Sequence, residues 1–163
     1  MGKKSREIIG DRVDELIMLL NRAYADEWIA YFYYTHAARM AQGLNAPSVA
    51  DALEKAAKDE LEHINELAER IVQLGGEPIR DFTKLVPESN CPYVKLPGSW
   101  SDLKAILKAV IDAERCAIDV YSNILKWLKD IGKDPVTWHV IRHIMGEEIE
   151  HEDMFETILG EDY

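Results

Sequence analysis

The sequence predicts an all-α protein, folded as an antiparallel four-helix bundle with a long crossover between the second and third helices. Apolar residues recur at three- and four-residue steps through four long segments, which is the pattern of amphipathic helices. Four of the six prolines lie between the second and third of these segments. No segment shows the alternation typical of a β-strand. The 163 residues are therefore expected to form one domain, 1–163.

The first two helices are predicted from long apolar stripes. One stripe begins at Val13 and predicts a helix over roughly 7–41, preceded by a basic tail, 1–6. After a short turn that contains glycine and proline, the second stripe runs from Val49 to Leu74 and stops at two glycines. Two helices of similar length are therefore expected in this half of the chain.

The second half begins with the segment 75–99, whose prolines predict a long irregular crossover loop. Ser99 or Ser101 is expected to cap the third helix, which ends at Gly132. Asp134 and the proline after it open the fourth helix, because proline is favoured in the first turn.

The formal charge of −11 argues against a chain-wide affinity for nucleic acid and suits the attraction of cations. The basic residues Lys3, Lys4 and Arg6 form a short cluster that is expected to be solvated, with a DNA-contacting arm as the alternative. The sequence has no apolar run of about 18 residues and no apolar core of a signal peptide. We therefore expect a cytoplasmic protein without a membrane or nucleic-acid partner.

A pentapeptide is nearly repeated: Asp-Glu-Leu-Glu-His in the second helix and Glu-Glu-Ile-Glu-His in the fourth. Glu60 and His63 are three residues apart and therefore share one face of their helix, as do Glu148 and His151. Both pairs continue the apolar stripe of their helix. They are expected to point into the core.

The other two helices each place one glutamate on their stripe, Glu27 and Glu114. Glu60 follows Glu27 by 33 residues, and Glu148 follows Glu114 by 34 residues. The chain therefore resembles two similar helix pairs. The repeat extends to Tyr34 and Tyr121, each seven residues beyond its glutamate. Core packing is the expected role of Tyr34, and hydrogen bonding to a ligand is the alternative.

Burying four ionised glutamates without positive charge nearby would cost a prohibitive amount of folding free energy. Buried carboxylates therefore either become protonated or bind a positively charged partner. Two divalent ions would match the four carboxylates, and two imidazoles would complete their ligands. A single Glu-x-x-His motif is more typical of a surface helix, and a polar core without metal is the alternative to the joint pattern. The predicted metal ligands, which are also the predicted catalytic residues, are Glu27, Glu60, His63, Glu114, Glu148 and His151.

Other acidic residues and histidines near the motifs are expected to have different roles. Glu62 and Glu150 lie roughly 200° round the helix from their ligand neighbours and should face solvent. His139 and His143 are expected to be exposed, with a surface metal site as the alternative. Glu147 is expected to lie beside the site, with service as a spare ligand as the alternative.

The six ligand positions resemble the bacterioferritin-type set, and the chain resembles the ferritin-like superfamily over essentially its whole length. Carboxylate and imidazole ligands favour iron or manganese, with zinc as a substitute. The resemblance implies two iron ions per subunit. Bacterioferritins place a haem-binding methionine where this chain has Leu61, so no haem is expected. Rubrerythrins share the bundle but carry a Cys-x-x-Cys domain that is absent here.

Cys91 in the crossover and Cys116, two residues after Glu114, look like the cysteine pair of the Dps-like proteins called thioferritins. Cys116 lies about 200° round the helix from Glu114 and should face away from the metals. The resemblance implies a Cys91–Cys116 disulfide in the oxidised protein, acting as a clamp or a thiol relay. Composition alone leaves two unrelated thiols as the alternative.

The resemblance to thioferritins also implies a function. Such a protein is a ferroxidase that oxidises Fe(II), preferentially with hydrogen peroxide, and stores the ferric product in a homo-oligomeric, dodecameric shell that protects against oxidative stress. A di-metal peroxidase or catalase without iron storage is the main alternative. A DNA-compacting protein and a bundle that only binds a partner are the others.

Overall fold

The computed structural model describes residues 3–95, 97–131 and 134–160. In these residues it contains four long helices, two short ones and no strand, which confirms the all-α four-helix bundle. The helices are α1 Lys3–Ile9, α2 Val13–Met40, α3 Ala46–Gln73, α4 Leu85–Glu88, α5 Leu103–Ile131 and α6 Pro135–Leu159. No helix in the described part of the chain is long and apolar enough to cross a membrane.

The bundle is built from two helical hairpins. The most extensive packing is between α2 and α3 and between α5 and α6, while α3 against α6 and α2 against α5 join the hairpins. Each long helix contributes apolar residues to two separate clusters, one around Tyr34, Leu53 and Phe155 and the other around Leu20 and Leu67. The predicted ligands come from the stretch of each helix between the two clusters.

The crossover 75–99 is mostly irregular, as predicted, but it also contains a 3-10 turn, Phe82–Lys84, and the single turn of α4. Asn21 on α2 binds the beginning of the crossover. The Asn21 side chain donates to the Glu77 carbonyl at 3.1 Å and accepts from the Ile79 amide at 2.9 Å. The beginning of the crossover is therefore attached to α2.

The N-terminal prediction needs correction. A single helix over 7–41 was expected after a tail, but the helix begins at Lys3 and is interrupted by a 3-10 turn, Gly10–Arg12. Gly10 has a φ of 77°, a backbone conformation that ends a helix and that glycine adopts without strain. Arg6 donates to the Leu74 carbonyl at 2.8 Å, so it packs on the bundle. Residues 1–2 of the predicted tail lie outside the described residues.

The cap of α5 also differs from the prediction. The hydroxyls of Ser99 and Ser101 contact each other at 2.8 Å, whereas Asp102 accepts from the Ala105 amide at 3.0 Å. Asp102 therefore caps the helix. Asp134 caps α6 as expected, accepting from two backbone amides at 3.2 Å. The predicted end of the third helix at Gly132 lies outside the described residues.

Candidate metal centre

The structure brings the six predicted ligand side chains together between the two apolar clusters. Each of the six residues is no more than 2% exposed. One comes from α2, two from α3, one from α5 and two from α6, namely Glu27, Glu60, His63, Glu114, Glu148 and His151. The layer is buried because the ligands occupy stripe positions, which face the bundle axis in all four helices.

These side chains form two overlapping groups whose ligand-type atoms lie within 4.8 Å of one another. Each group offers three carboxylates and one imidazole. The groups are Glu27, Glu60, His63 and Glu148, and Glu60, Glu114, Glu148 and His151. Glu60 and Glu148 belong to both groups, so these two carboxylates could serve either ion position.

The Nδ1 atoms of the two histidines face into this layer. His63 Nδ1 lies 3.0 Å from Glu148 Oε1, 3.2 Å from Glu60 Oε2 and 3.5 Å from Glu27 Oε2. His151 Nδ1 lies 3.6 Å from Glu60 Oε1. The Nδ1 atom is therefore the one that each ring presents to a cation.

The fit of a cation pair can be judged from atoms that lack partners. Several buried ligand-type atoms in the layer have no hydrogen-bond partner, among them Glu60 Oε1, Glu114 Oε2 and His151 Nδ1. Unpartnered buried polar atoms are costly, and cations would supply the missing contacts. Carboxylate oxygens with imidazole nitrogens suit iron, manganese and zinc. The clusters could therefore hold a pair of divalent ions.

The electrostatics of the layer favour protons where cations are absent. Burial, followed by the charge of Glu27, raises the pKa of Glu60 to about 8. Burial also raises the pKa of Glu148 well above its usual range. Burial alone would lower the pKa of His63, but hydrogen bonds with Glu148, Glu27 and Glu60 raise it strongly. Cations that enter the layer are therefore expected to displace protons.

The metal-free protein is expected to be more stable near pH 6 than near pH 8, by at least about 2 kcal/mol. The raised pKa of Glu60, about 8, destabilises the fold at alkaline pH, and this penalty shrinks as the pH falls towards the ordinary value of 4.5. The raised pKa of His63 gives stability that is fully present below its ordinary value of 6.5 and declines as the pH rises. Urea unfolding with a chelator at both pH values measures the difference. A higher free energy of unfolding at pH 8 would contradict it.

Two tyrosines hydrogen-bond the two glutamates, Glu27 and Glu114, that each belong to only one of the groups. Tyr34 donates to Glu114 Oε1 at 2.5 Å, and Tyr121 donates to Glu27 Oε1. Tyr34 also packs against Phe155 in the apolar cluster, so the expected packing role and the alternative, hydrogen bonding to a predicted ligand, both describe it. Each tyrosine belongs to one hairpin and its glutamate to the other, and these bonds therefore orient Glu27 and Glu114 across the bundle.

Cys91 and Cys116 form a disulfide with a Cα–Cα distance of 5.9 Å, which ties the crossover to α5. The same stretch is held to α2 by Asp26, which accepts from the Asn90 amide at 2.8 Å, the Asn90 side chain at 2.7 Å and the Cys91 amide at 2.9 Å. Burial raises the pKa of Asp26 to about 6, although these hydrogen bonds oppose the change. Sequence reasoning missed Asp26, whose partners are too distant in the chain to give a periodic signal.

A small cavity lies between this fastened loop and the predicted ligands. Cys91, Pro92 and Val94 form part of its outer wall, while Glu27 and Glu114 are among its inner lining. The disulfide-linked segment therefore covers one side of the cluster.

The other acidic residues and histidines lie outside the two groups. Glu62 and Glu150 are exposed, and so are His139 and His143. Glu147 Oε2 lies 2.8 Å from His63 Nε2, on the outer side of that ring. In this structure Glu147 therefore contacts a predicted ligand and is not itself part of either group.

Comparison with known proteins agrees with the fold. The sequence matches the family model of the ferritin-like domain over residues 17–162. It is 37% identical over 162 residues to the DNA protection during starvation protein of Pyrococcus furiosus, covering 98% of this chain and 86% of the relative. It is 31% identical over 149 residues to a bacterioferritin of Desulfovibrio desulfuricans, covering 91% of this chain and 76% of the relative.

A solved structure with the same fold is that of a dodecameric thioferritin, the bacterioferritin-related protein from Bacteroides fragilis. The two chains superimpose with a TM-score of 0.91 at 32% identity, covering 98% of this chain and 94% of the other. The thioferritin and the Pyrococcus relative thus match nearly the whole chain. The chain therefore belongs to the ferritin-like family and is similar to its Dps and thioferritin members.

Proposed function

We propose that the protein oxidises Fe(II) with hydrogen peroxide at the paired carboxylate–histidine groups and stores the ferric product in a shell formed by copies of this chain. The observation that carries the proposal is the overlap of the two groups, which share Glu60 and Glu148. Two shared carboxylates would let two ions bind next to each other, as two-metal sites require.

Iron is the substrate and supplies the electrons. Two Fe(II) ions, one hydrogen peroxide and two protons give two Fe(III) ions and two waters, and this two-electron reaction avoids releasing a hydroxyl radical. The chain's own residues would hold the reacting ions in place. The shared glutamates Glu60 and Glu148 would hold both ions in one buried layer, while Tyr34 and Tyr121 hydrogen-bond Glu114 and Glu27.

The relatives support storage and protection as the wider role. The Pyrococcus relative is named for DNA protection during starvation, and the Bacteroides protein is described as a dodecameric thioferritin. We accordingly propose a homo-oligomer, a dodecameric shell, in the cytoplasm. Protection would come from removing iron and peroxide and not from contact with DNA, because the chain carries a charge of −11 and Arg6 packs on the bundle.

The decisive test adds Fe(II) and hydrogen peroxide in many small aliquots and then measures iron per chain in the protein peak from size-exclusion chromatography. Far more than two irons per chain, eluting with a large assembly, is the expected result. A value that stays at two while peroxide is still consumed would instead identify a di-metal peroxidase or catalase without storage. No iron retained and no oxidation would contradict both functions.

We also propose that the Cys91–Cys116 disulfide clamps the crossover over the metal centre. The half-cystines are 25 residues apart, and closing a loop of this length is expected to stabilise the fold by about 3 kcal/mol. Cys116→Ser should therefore lower the free energy of unfolding by about 3 kcal/mol, measured in urea under oxidising conditions.

Reduction provides the control for the Cys116→Ser experiment. A dithiol reductant should lower the stability of the wild-type protein to nearly that of Cys116→Ser and leave the variant unchanged. Equal stability of the oxidised wild type and the variant would show that the disulfide is no clamp.

A further inference from the structure

A second set of ligand-type side chains lies outside the buried layer, where α3 and α6 meet beside His63. His143 Nε2 lies 3.8 Å from Glu66 Oε1 and 3.7 Å from Glu147 Oε2. Glu66 belongs to α3, and the other two residues belong to α6. We call Glu66, His143 and Glu147 the outer group. Its imidazole stands between carboxylates from two different helices.

We propose that the outer group binds a divalent cation and delivers Fe(II) to the buried layer from the side of His63. The delivery step rests on the proposed function, because it assumes that the buried layer uses Fe(II). Binding of a cation by the outer group can be measured without that assumption.

The distances and the atom types of the outer group suit a shared cation. Two donors that bind one ion with bonds of about 2.1 Å lie about 3–4 Å apart, and both contacts of His143 have this separation. Imidazole nitrogen with carboxylate oxygen is a ligand set for iron, manganese or zinc. Glu66 Oε2 is also buried without a hydrogen-bond partner, and a bound cation would supply its missing contact.

The charges of the outer group also favour a cation. In the described part of the chain, the ion-pair partners of Glu66 and Glu147 are histidines. A neutral histidine compensates neither carboxylate and can offer its lone pair to a metal. A divalent ion bound between these three side chains would compensate both negative charges.

The location of the outer group connects water with the buried layer. The side chains of His143, Glu66 and Glu147 are 49%, 38% and 33% exposed, so an ion can reach them without any opening of the bundle. Glu147 Oε2 also lies 2.8 Å from His63 Nε2, while Nδ1 of the same ring faces the carboxylates of the layer. One imidazole ring therefore separates the outer group from the buried ion positions.

The internal repeat supplies a comparison within the same chain. The two Glu-x-x-His motifs are 88 residues apart, and the same shift places Asp59, Lys55 and Met154 where the outer group has Glu147, His143 and Glu66. The carboxylate beside the histidine is kept, but a lysine replaces the imidazole and a thioether replaces the second carboxylate. A lysine charge repels cations, so only the side of His63 is suited to bind one.

The test uses the full-length protein and Co(II) alone as the probe, measured by equilibrium dialysis to saturation. The wild type should bind one more Co(II) ion per chain than His143→Ala or Glu66→Gln. The matched controls are His139→Ala on α6 and Glu54→Gln on α3, which change exposed residues and should bind as many ions as the wild type. Circular dichroism should show intact helices in every variant.

A constructive variant tests the comparison between the two sides. Lys55→His combined with Met154→Glu gives the side of His151 the same three ligand types that the outer group has. This double variant should bind one more Co(II) ion per chain than the wild type. An unchanged number would show that the three residue types at this spacing are not enough to form the site.

The delivery step is tested by the kinetics of Fe(II) oxidation with peroxide. His143→Ala should raise the KM for Fe(II) by about 3–10-fold and leave kcat within about twofold, because the buried ligands are unchanged. An unchanged KM would show that ions reach the layer by another route. A kcat that falls as far as kcat/KM would show that His143 supports the reaction itself.

The binding experiment also separates the possible failures. If His143→Ala and the wild type bind the same number of Co(II) ions, the outer group is not a cation site and the proposed function still stands. If His139→Ala loses the same ion, the site is the histidine pair on α6 and not the outer group. A wild-type protein that binds no Co(II) would overturn the proposed function as well.

Discussion

Replacing Glu60 and His63 together with alanine is expected to slow peroxide-dependent oxidation of Fe(II) by at least about 100-fold, since even partners of metal ligands change activity by 10–100-fold. Glu60 belongs to both groups of ligand-type atoms, and His63 supplies the imidazole of one of them. The double variant therefore damages both ion positions. Stopped-flow absorbance of ferric product after mixing with peroxide measures the rate.

The matched control for this variant is Glu62→Ala, which removes an exposed carboxylate from the same helix. It should leave the rate within about twofold of the wild type, because an exposed charge contributes little to the buried layer. Circular dichroism should show that the double variant retains its helices. Rapid oxidation in the double variant would remove these residues from the proposed site.

The largest expected loss of stability comes from Arg70→Ala, at about 3–5 kcal/mol. Arg70 on α3 is 4% exposed and donates to Asp134 Oδ2 at 2.8 Å and to the Thr137 hydroxyl at 2.7 Å. Without the guanidinium, the buried Asp134 carboxylate loses its counter-charge. Since Asp134 also caps α6, the change should weaken the start of the helix that carries Glu148 and His151.

Urea unfolding compares this variant with Arg80→Ala. Arg80 forms an ion pair with Glu77 at 3.4 Å, but both side chains are mostly exposed, so the loss should stay below about 1 kcal/mol. Similar losses for the two variants would show that the buried pair contributes no more than a surface pair does. Arg70 was not anticipated from the sequence, since it lies at the end of an otherwise apolar stripe.

The parts of the fold that could be predicted are the helices whose apolar residues repeat at a regular spacing. The stripes that begin at Val13 and Val49 indicated their helices because a buried helix face repeats every three or four residues. The same regularity placed both Glu-x-x-His motifs in the core. The exact residue that caps or interrupts a helix was harder to predict. Asp102 caps α5 in place of Ser99 or Ser101, and Gly10 interrupts a helix that the apolar pattern alone would continue.

The parts that could not be predicted depend on contacts between distant segments. Asp26 binds Asn90 and Cys91 of the crossover, 64 and 65 residues later in the chain, and no pattern in α2 distinguishes it from an exposed acid. The contacts of Asp59 Oδ2 with His151 Nε2, at 3.0 Å, and of Glu147 Oε2 with His63 Nε2, at 2.8 Å, depend on the relative register of α3 and α6, which is set by packing and not by either helix alone.

The division of the ligands between two hairpins has a consequence for newly made chains. The α2–α3 hairpin carries two of the four buried glutamates and one of the two histidines, and the α5–α6 hairpin carries the rest. Neither hairpin alone can assemble a shared pair of ion positions. Under the proposed function, a half-folded chain would therefore lack a complete metal centre, and oxidation of Fe(II) would occur only in subunits that have finished folding.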